Sequence, residues 1–197
     1  MAYRKLDHID EKIVKATISL AGAPHAKKGV STKDIAERCH ISEYVIFKHF
    51  GNKQNLMIAA DKMVMNALSQ GAIALEKEHL DFFAFFNRYL DFLLSHKGLT
   101  FFALNFGHGI PHAADTPAWG ENEYETFLKE NAAIFFSPLQ PGEEDSQALI
   151  WDYFMRNCLY FSSFILYGYG SDNSNTRELM FSLIGKGIHS FTKGEQV

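Results

Sequence analysis

Two short amphipathic segments, separated by only two residues, constrain this chain more than any other feature of its sequence. Apolar residues recur in both segments at the spacing that places side chains on one face of an α-helix. Because only His40 and Ile41 join the two predicted helices, the second has to cross the first closely. The residues predicted to face inward are Ile35, Ala36 and Cys39 in the first segment and Val45, Ile46 and Phe50 in the second.

The residues around these segments define how the two helices begin and meet. Ser31 is followed three residues later by Asp34, a pattern typical of a helix N-cap. Ala36 and Cys39 are small enough to allow a close crossing, and Ile41 is an apolar plug for the corner. These features predict a helix-turn-helix. Its second helix would present outward, where a DNA major groove would lie, the side chains of Glu43, Tyr44, Phe47, Lys48 and His49.

Helical patterning extends over the rest of the chain. A first helix is predicted from the N-cap Asp7 to Leu20, stopped by Gly22, and a long helix from about Lys53 to His79 is long enough to connect two modules. We find neither an alternating strand pattern of useful length nor an internal repeat, so the predicted fold class is all-α. Further helices are predicted over residues 80–96, 98–106, 119–136, 143–167 and 175–192, with a loop at 108–117 and a turn at 137–142.

Charge is divided unevenly along the chain. The net charge is −4, yet residues 1–53 contain ten lysines and arginines against six acidic residues, a balance of +4. Residues 54–197 carry nine against seventeen, a balance of −8. A basic amino-terminal quarter on an acidic remainder is expected when one end of a protein meets a polyanion. An ordinary solvated surface is the alternative interpretation of this asymmetry.

The composition and the cysteine pattern exclude several classes of protein. The apolar content of 47% with only 5 prolines indicates a folded globular chain rather than a disordered one. Cys39 and Cys158 lie far apart with no metal-ligand spacing, so neither a disulfide framework nor a zinc site is expected. The charged opening segment lacks the apolar centre of a secretion signal, and the longest uncharged stretches are too short to span a bilayer. We therefore expect a cytoplasmic protein without a membrane segment.

The residues from Thr32 to Phe50, continued by Gly51 to Leu56, resemble the amino-terminal DNA-binding domain of TetR-type transcriptional regulators. The similarity reaches back through residues 13–20 and covers about a quarter of the chain. The remainder matches only in length and helical character. At the turn, where the family usually has glycine, this chain has His40, and histidine adopts the left-handed conformation more readily than most residues.

The resemblance implies a set of DNA contacts in residues 1–53, the predicted DNA-binding domain. Thr32 and Lys53, at the starts of two helices, are expected at phosphates, and helix N-termini and lysines bind phosphate in any case. Core packing is the alternative for Val45 and Phe47, and a solvated surface is the alternative for Lys48 and Lys53. The complete set of predicted DNA-binding residues is Thr32, Lys33, Glu43, Tyr44, Val45, Phe47, Lys48, His49 and Lys53.

Residues 54–197 are predicted to form a helical ligand-binding and dimerisation domain. One recognition helix reads few base pairs, so a regulator of this type requires two copies, held one DNA turn apart. The last two helices offer more apolar area than one inner face needs, and the resemblance implies a four-helix interface between two subunits. Gly185 and Gly187 in the last helix suggest the close approach of another backbone.

Aromatic residues are concentrated between the long helix and the last two helices. The resemblance implies that this region holds an effector pocket, and rings with a few polar groups suit an apolar or aromatic small molecule. A packed core is the alternative interpretation of each ring. The predicted ligand-binding residues are Phe102, Asn105, Phe106, His108, Trp119, Tyr124, Phe127, Asn131, Trp151, Phe154 and Asn157.

An enzyme is the main alternative class, and the sequence offers it little support. Glu76 and His79 have the Glu-x-x-His spacing of a di-iron helix, but that site needs the motif twice and we find one copy. His108 and His112 lack a third metal ligand. No catalytic, metal or cofactor site is therefore predicted.

The sequence thus predicts a DNA-binding transcriptional regulator, a repressor released from a double-stranded DNA operator by a small, largely apolar or aromatic effector. An all-α small-molecule binding protein or enzyme without DNA binding is the alternative.

Overall fold

The computed structural model of the chain describes residues 7–24, 30–106, 123–135 and 144–193, without the side chains of 123, 124, 135 and 189–193. All regular structure in these ranges is α-helical, as predicted. The helices are α1 His8–Ala21, α2 Thr32–Cys39, α3 Glu43–Phe50, α4 Lys53–Glu76, α5 Phe82–Ser95, α6 Lys97–Phe106, α7 Glu123–Phe135, α8 Glu144–Leu166 and α9 Ser174–Lys193. The loop predicted at 108–117 and the turn predicted at 137–142 lie outside the described residues.

The helices begin where side chains can satisfy the free backbone N–H groups of a first turn. At α1, Asp7 accepts a hydrogen bond of 2.9 Å from the Asp10 backbone N–H, and the Asp10 carboxylate accepts one from the Asp7 N–H. The start predicted at Asp7 is thereby confirmed. Asp81 caps α5 in the same way, through the Ala84 N–H at 2.8 Å. None of the helices in the described ranges is long and apolar enough to cross a bilayer.

The chain divides into two compact units. Unit 1 consists of residues 1–67 and 97–118, and unit 2 of residues 68–96 and 119–197. The long helix α4 contributes its first part to unit 1 and its last part to unit 2. The domain boundary predicted between residues 53 and 54 does not coincide with the division into compact units. As a division between a DNA-binding part and a ligand-binding part, it stays a prediction.

In unit 1, α1 packs against α2 and α6. The core combines the fully buried aliphatic side chains Ile13, Ile35, Ile46 and Leu56 with the buried rings of Phe101 and Phe102 from α6. Gly22, just after α1, is required by a close backbone approach, because a Cβ built there would lie 2.1 Å from the Gly98 carbonyl oxygen. The predicted stop of the first helix is therefore also a packing site for α6.

In unit 2, α8 packs against α5, α7 and α9 around a core dominated by aromatic rings. Phe154 of α8 lies within ring-contact distance of Phe82, Phe85 and Tyr89 of α5, with centroids 5.6–6.0 Å apart. Phe181 of α9 contacts the other side of α5. Since these rings join three helices, their burial accounts for much of the cohesion of unit 2.

The start of α9 is joined to α5 by one arginine. The Arg177 guanidinium donates hydrogen bonds to both carboxylate oxygens of Asp172, at 2.6 and 2.8 Å, and to Asp91 of α5 at 2.7 Å. Its side chain is mostly buried. The hydrogen bond from Arg177 holds the pKa of Asp172 below its ordinary value. Such a bidentate, charge-assisted contact defines the position of the helix start.

We predict that Arg177→Ala lowers the free energy of unfolding by about 2 kcal/mol, because it removes several charge-assisted hydrogen bonds at once. Urea denaturation followed by circular dichroism measures this loss. The control is Arg88→Ala, which removes an exposed pair with Glu78 and should change stability by less than about 1 kcal/mol.

The difference between wild type and Arg177→Ala should also depend on pH. Because the pKa of Asp172 is lowered in the folded chain, the contact stabilises fully above the unfolded pKa of this group. The stabilisation is lost as the pH falls through the folded pKa, so the two unfolding curves should converge in acid. A difference that stays constant in acid would contradict this role of Asp172.

Candidate nucleic-acid interface and ligand cavity

The start of α2 is exposed and fixed by a reciprocal cap. Ser31 Oγ accepts a hydrogen bond of 3.1 Å from the Asp34 backbone N–H, and the Asp34 carboxylate accepts one of 3.2 Å from the Ser31 N–H. This is the cap predicted from the sequence. It leaves Thr32 and Lys33 in the first turn of α2, half-buried and exposed respectively, where the positive end of the helix favours an anion.

The turn between α2 and α3 has the geometry predicted for it. His40 adopts the left-handed conformation, with φ 54° and ψ 47°. The Ile41 backbone N–H donates to the Ala36 carbonyl at 3.0 Å, which closes the end of α2. Ala36 and Cys39 are buried at the crossing, and Ile41 is half-buried. Residues 31–50 therefore form a helix-turn-helix.

α3 exposes one polar and aromatic face and buries the other. Ile46 is fully buried, and Val45 and Phe50 are half-buried. On the opposite face, Tyr44 is 73% and Phe47 42% exposed. Lys48 is exposed beside them, because positions 44, 47 and 48 share one side of a helix. Core packing, the alternative considered for Phe47, does not account for this exposure.

Glu43, the acidic residue expected on the same outward face, is held by the first helix of the motif. The Thr32 hydroxyl donates a hydrogen bond of 2.5 Å to the Glu43 carboxylate. Both residues stand in the first turns of their helices, so the bond ties the start of α3 to the start of α2. One carboxylate oxygen of Glu43 is occupied by this contact.

His49 differs from its prediction, because it does not project outward. Its Nδ1 atom lies 2.6 Å from the carboxylate of Asp10 in α1, and Asp10 is only 2% exposed. A buried carboxylate is stabilised by hydrogen-bonding partners, and His49 is one of them beside the Asp7 N–H. His49 therefore joins the end of α3 to α1 instead of facing DNA. Helical periodicity could not reveal this pair, since its members are 39 positions apart.

The same two residues form, with Asp7, a group of three whose potential metal-ligating atoms lie within 4.8 Å of one another. It is the one such group among the described residues. The separation of 2.6 Å between His49 Nδ1 and Asp10 is that of a direct hydrogen bond, which leaves no space for an ion between them. The group is therefore arranged as a structural contact.

Lys53 is the first residue of α4, as predicted, and is half-buried. The turn before it is held by Asn52, which accepts from the Asn55 backbone N–H at 2.8 Å. The Asn55 side chain in turn donates to the Phe50 carbonyl at 2.9 Å. Within the described residues, neither Lys53 nor Lys48 forms an ion pair with a carboxylate. Both ammonium groups are thus available to an external anion.

Unit 2 contains a cavity of about 600 Å³, a size within the range of small-molecule sites. Its wall combines the carboxyl end of α4 with parts of α5, α8 and α9. Most of the wall is apolar. The residues that line it are Glu76, His79, Leu80, Phe82, Phe85, Ile150, Trp151, Phe154 and Ile188.

Two of the predicted ligand-binding residues, Trp151 and Phe154, line this cavity. Phe102, Asn105 and Phe106 belong to unit 1, and none of them lines it. Phe127, Asn131 and Asn157 are in unit 2 but also outside the lining. The amides of Asn131 and Asn157 donate to carbonyls of their own helices. His108, Trp119 and the Tyr124 side chain lie outside the described residues.

Phe82 belongs to the aromatic region in which the pocket is expected. Glu76 and His79 also line the cavity, although the sequence indicates for them only the spacing of a metal motif. Their position in the sequence could have indicated a ligand site, because they lie at the end of the long helix, next to the aromatic segment that begins at Phe82. The chain reversal after α4, with His79 at φ 50°, brings these side chains to one cavity.

Comparisons with known proteins agree with this geometry. The sequence profile of bacterial regulatory proteins of the tetR family matches residues 25–60. In structure, the chain is similar to a TetR family transcription regulator from Marinobacter aquaeolei VT8, with a TM-score of 0.62 and 17% identity. The similarity covers 89% of this chain and 92% of that one. No curated protein sequence matches significantly.

A helix-turn-helix with an exposed second helix, carried by helical structure, is the architecture of many DNA-binding transcriptional regulators. The matched profile is that of TetR-type regulators over the helix-turn-helix, and the solved TetR family structure shares the fold of the chain. The resemblance seen in the sequence is thereby confirmed.

We predict that His49→Ala lowers the free energy of unfolding by about 1–3 kcal/mol, because Asp10 is left buried without its histidine partner. Thermal unfolding of the full chain measures the effect. The matched control is His8→Ala, an exposed histidine of α1, which should change stability by less than about 0.5 kcal/mol. An equal effect of the two substitutions would contradict the structural role of His49.

Proposed function

We propose that this TetR-type regulator binds an operator in double-stranded DNA with α3 in the major groove. The observation that carries the proposal is the exposed face of α3, where two aromatic side chains lie beside Lys48 while the buried Ile46 anchors the opposite face. Among the described residues Lys48 has no carboxylate partner, so this face can offer a groove both a cation for phosphates and apolar surface for bases.

Each residue of the interface has a role that follows from its position. Thr32, Lys33 and Lys53 lie at helix starts, where backbone N–H groups and ammonium groups suit phosphates. Lys48 reaches phosphates or base edges, and the exposed rings of Tyr44 and Phe47 contact bases or sugars. Val45 is half-buried, so its contribution is limited to the part that faces outward. Glu43 orients the motif through Thr32.

We further propose that the regulator acts as a homodimer through α8 and α9. Both helices expose large apolar side chains: Tyr160 in α8, and Leu179 and Leu183 in α9. Helical spacing places Leu179 and Leu183 on one face, so they offer a continuous surface to a second subunit. Two subunits would supply the paired recognition helices that an operator requires.

The two glycines of α9 have different environments. A Cβ at Gly187 would lie 2.0 Å from the Tyr153 hydroxyl of α8, so this glycine accommodates a side chain of its own subunit. A side chain, and not the backbone expected from the sequence, thus lies beside Gly187. A Cβ at Gly185 meets nothing within 4 Å among the described residues, a position that a second subunit could approach.

The regulation we propose is repression relieved by a small, largely apolar or aromatic effector. The cavity in unit 2 supports this proposal by its size and its mostly apolar wall. α4 contributes to both compact units, so an effector that binds one arrangement of its carboxyl end has a continuous helix through which to act on the DNA-binding part. No residue is assigned a catalytic role.

We predict that the full chain shifts the mobility of a DNA fragment from its own promoter and that binding weakens steeply with salt. Lys48→Ala should reduce the slope of log affinity against log salt by about one, because one phosphate contact is lost. Lys77→Ala, an exposed lysine in unit 2, is the control and should leave the slope unchanged. Absence of DNA binding would instead support the alternative of a helical small-molecule binding protein or enzyme.

For the dimer, we predict that Leu183→Glu converts the protein to a monomer, because a charge would be buried in an apolar interface. Sedimentation velocity measures the mass, and circular dichroism checks that the fold is kept. Ile134→Glu in α7 is the matched control, since Ile134 is 43% exposed and Leu183 48%. A dimer that persists in Leu183→Glu would place the interface elsewhere.

A further inference from the structure

The cavity of unit 2 has one acidic group on an otherwise nearly apolar wall. The carboxylate belongs to Glu76, the last residue of α4, which is half-buried. Among the residues that the structure describes, no hydrogen-bond donor or cation pairs with this carboxylate. Its neighbour Glu78, in contrast, is paired with Arg88 at 3.4 Å and does not line the cavity.

A carboxylate at the edge of an apolar cavity selects the charge of what enters. Carboxylates are ionised at neutral pH, and their partial burial without a counter-charge is unfavourable. A cationic ligand would supply the missing counter-charge, whereas an anionic ligand would add repulsion. His79, the other polar residue of the wall, is exposed and offers an imidazole that can take part in hydrogen bonds.

The aromatic part of the wall favours the same charge. Phe154 lies at the centre of the ring set, with centroids 5.7 Å from Phe82, 5.6 Å from Phe85 and 6.0 Å from Trp151. Ring faces attract organic cations, and this attraction rests on Phe82, because Trp151, Phe154 and Phe85 are buried behind it. Phe82 is 45% exposed although it lines the cavity, so its ring has open surface for a ligand.

From these observations we propose that the cavity binds a lipophilic organic cation, such as an aromatic amine or quaternary ammonium compound. The apolar body of the ligand would lie against the rings, and its cationic head would pair with Glu76. The assignment of this ligand as the effector rests on the proposed function, whereas the charge preference of the cavity rests only on its wall.

Isothermal titration calorimetry of the full chain with three matched probes tests the proposal. The probes are 2-(1-naphthyl)ethyl-trimethylammonium, its neutral isostere with carbon in place of nitrogen, and the anion 1-naphthylacetate. We expect the cation to bind at least about tenfold more tightly than the neutral isostere, and the anion most weakly. The proposal would be overturned by equal affinities or by a preference for the anion. It would also be overturned if no probe binds because the chain itself or a second copy fills the cavity.

Substitutions then locate the preference. Glu76→Gln keeps the size of the side chain and removes its charge, so it should weaken cation binding by about tenfold and leave the neutral isostere within about twofold. Glu78→Gln is the matched control and should leave both affinities unchanged. Phe82→Leu removes the exposed ring face together with its contacts to Phe154 and Phe181, so circular dichroism has to show that the fold is kept. This variant should weaken the cation more than the isostere. A loss in Glu78→Gln as large as that in Glu76→Gln would overturn the role of Glu76.

The mobility-shift assay separates failure of this inference from failure of the proposed function. Cation binding that leaves DNA affinity unchanged would retain the ligand site and remove its role as effector site. If the chain binds DNA but the cavity shows no charge preference, the proposed regulator function stands and the proposed cation site does not.

Discussion

The length of α3 is the constraint on which the DNA-binding part depends. A helix of eight residues is too short to persist in water by itself, so its position has to come from contacts with its neighbours. Ile46 anchors it in the core, His49 joins its end to the buried Asp10, and the Glu43 carboxylate ties its start to α2. These contacts hold the helix from one side and leave the other free.

Unit 2 depends on a different arrangement, in which aromatic rings from α5, α8 and α9 share one core. Rings are large and rigid, so a set of them joins several helices but does not fill every volume between them. The cavity lies beside this set, at the carboxyl end of α4. Some of the rings that hold the unit together, Phe82, Phe85 and Phe154, therefore also line the cavity.

Much of the fold could be predicted from the sequence, because helix starts and turns depend on nearby residues. The capping pairs at Asp7 and Ser31, and the left-handed His40, follow from chemistry within four positions. Pairs such as His49 with Asp10 depend on which distant helices meet, and periodicity does not contain that information. A cavity is harder still to predict from a sequence, because it marks a place where packing is incomplete. Glu76 carries no local sequence pattern that indicates such a place.

The separation between the two sides of α3 has a consequence for how such a protein can diversify. Tyr44, Phe47 and Lys48 are exposed on the side of α3 away from the buried Ile46, so exchanges there leave its buried anchor unchanged. Positions 46 and 49 lack this freedom. Under the proposed function, a laboratory library restricted to these three codons would therefore sample new operator choices without first having to restore the stability of the domain.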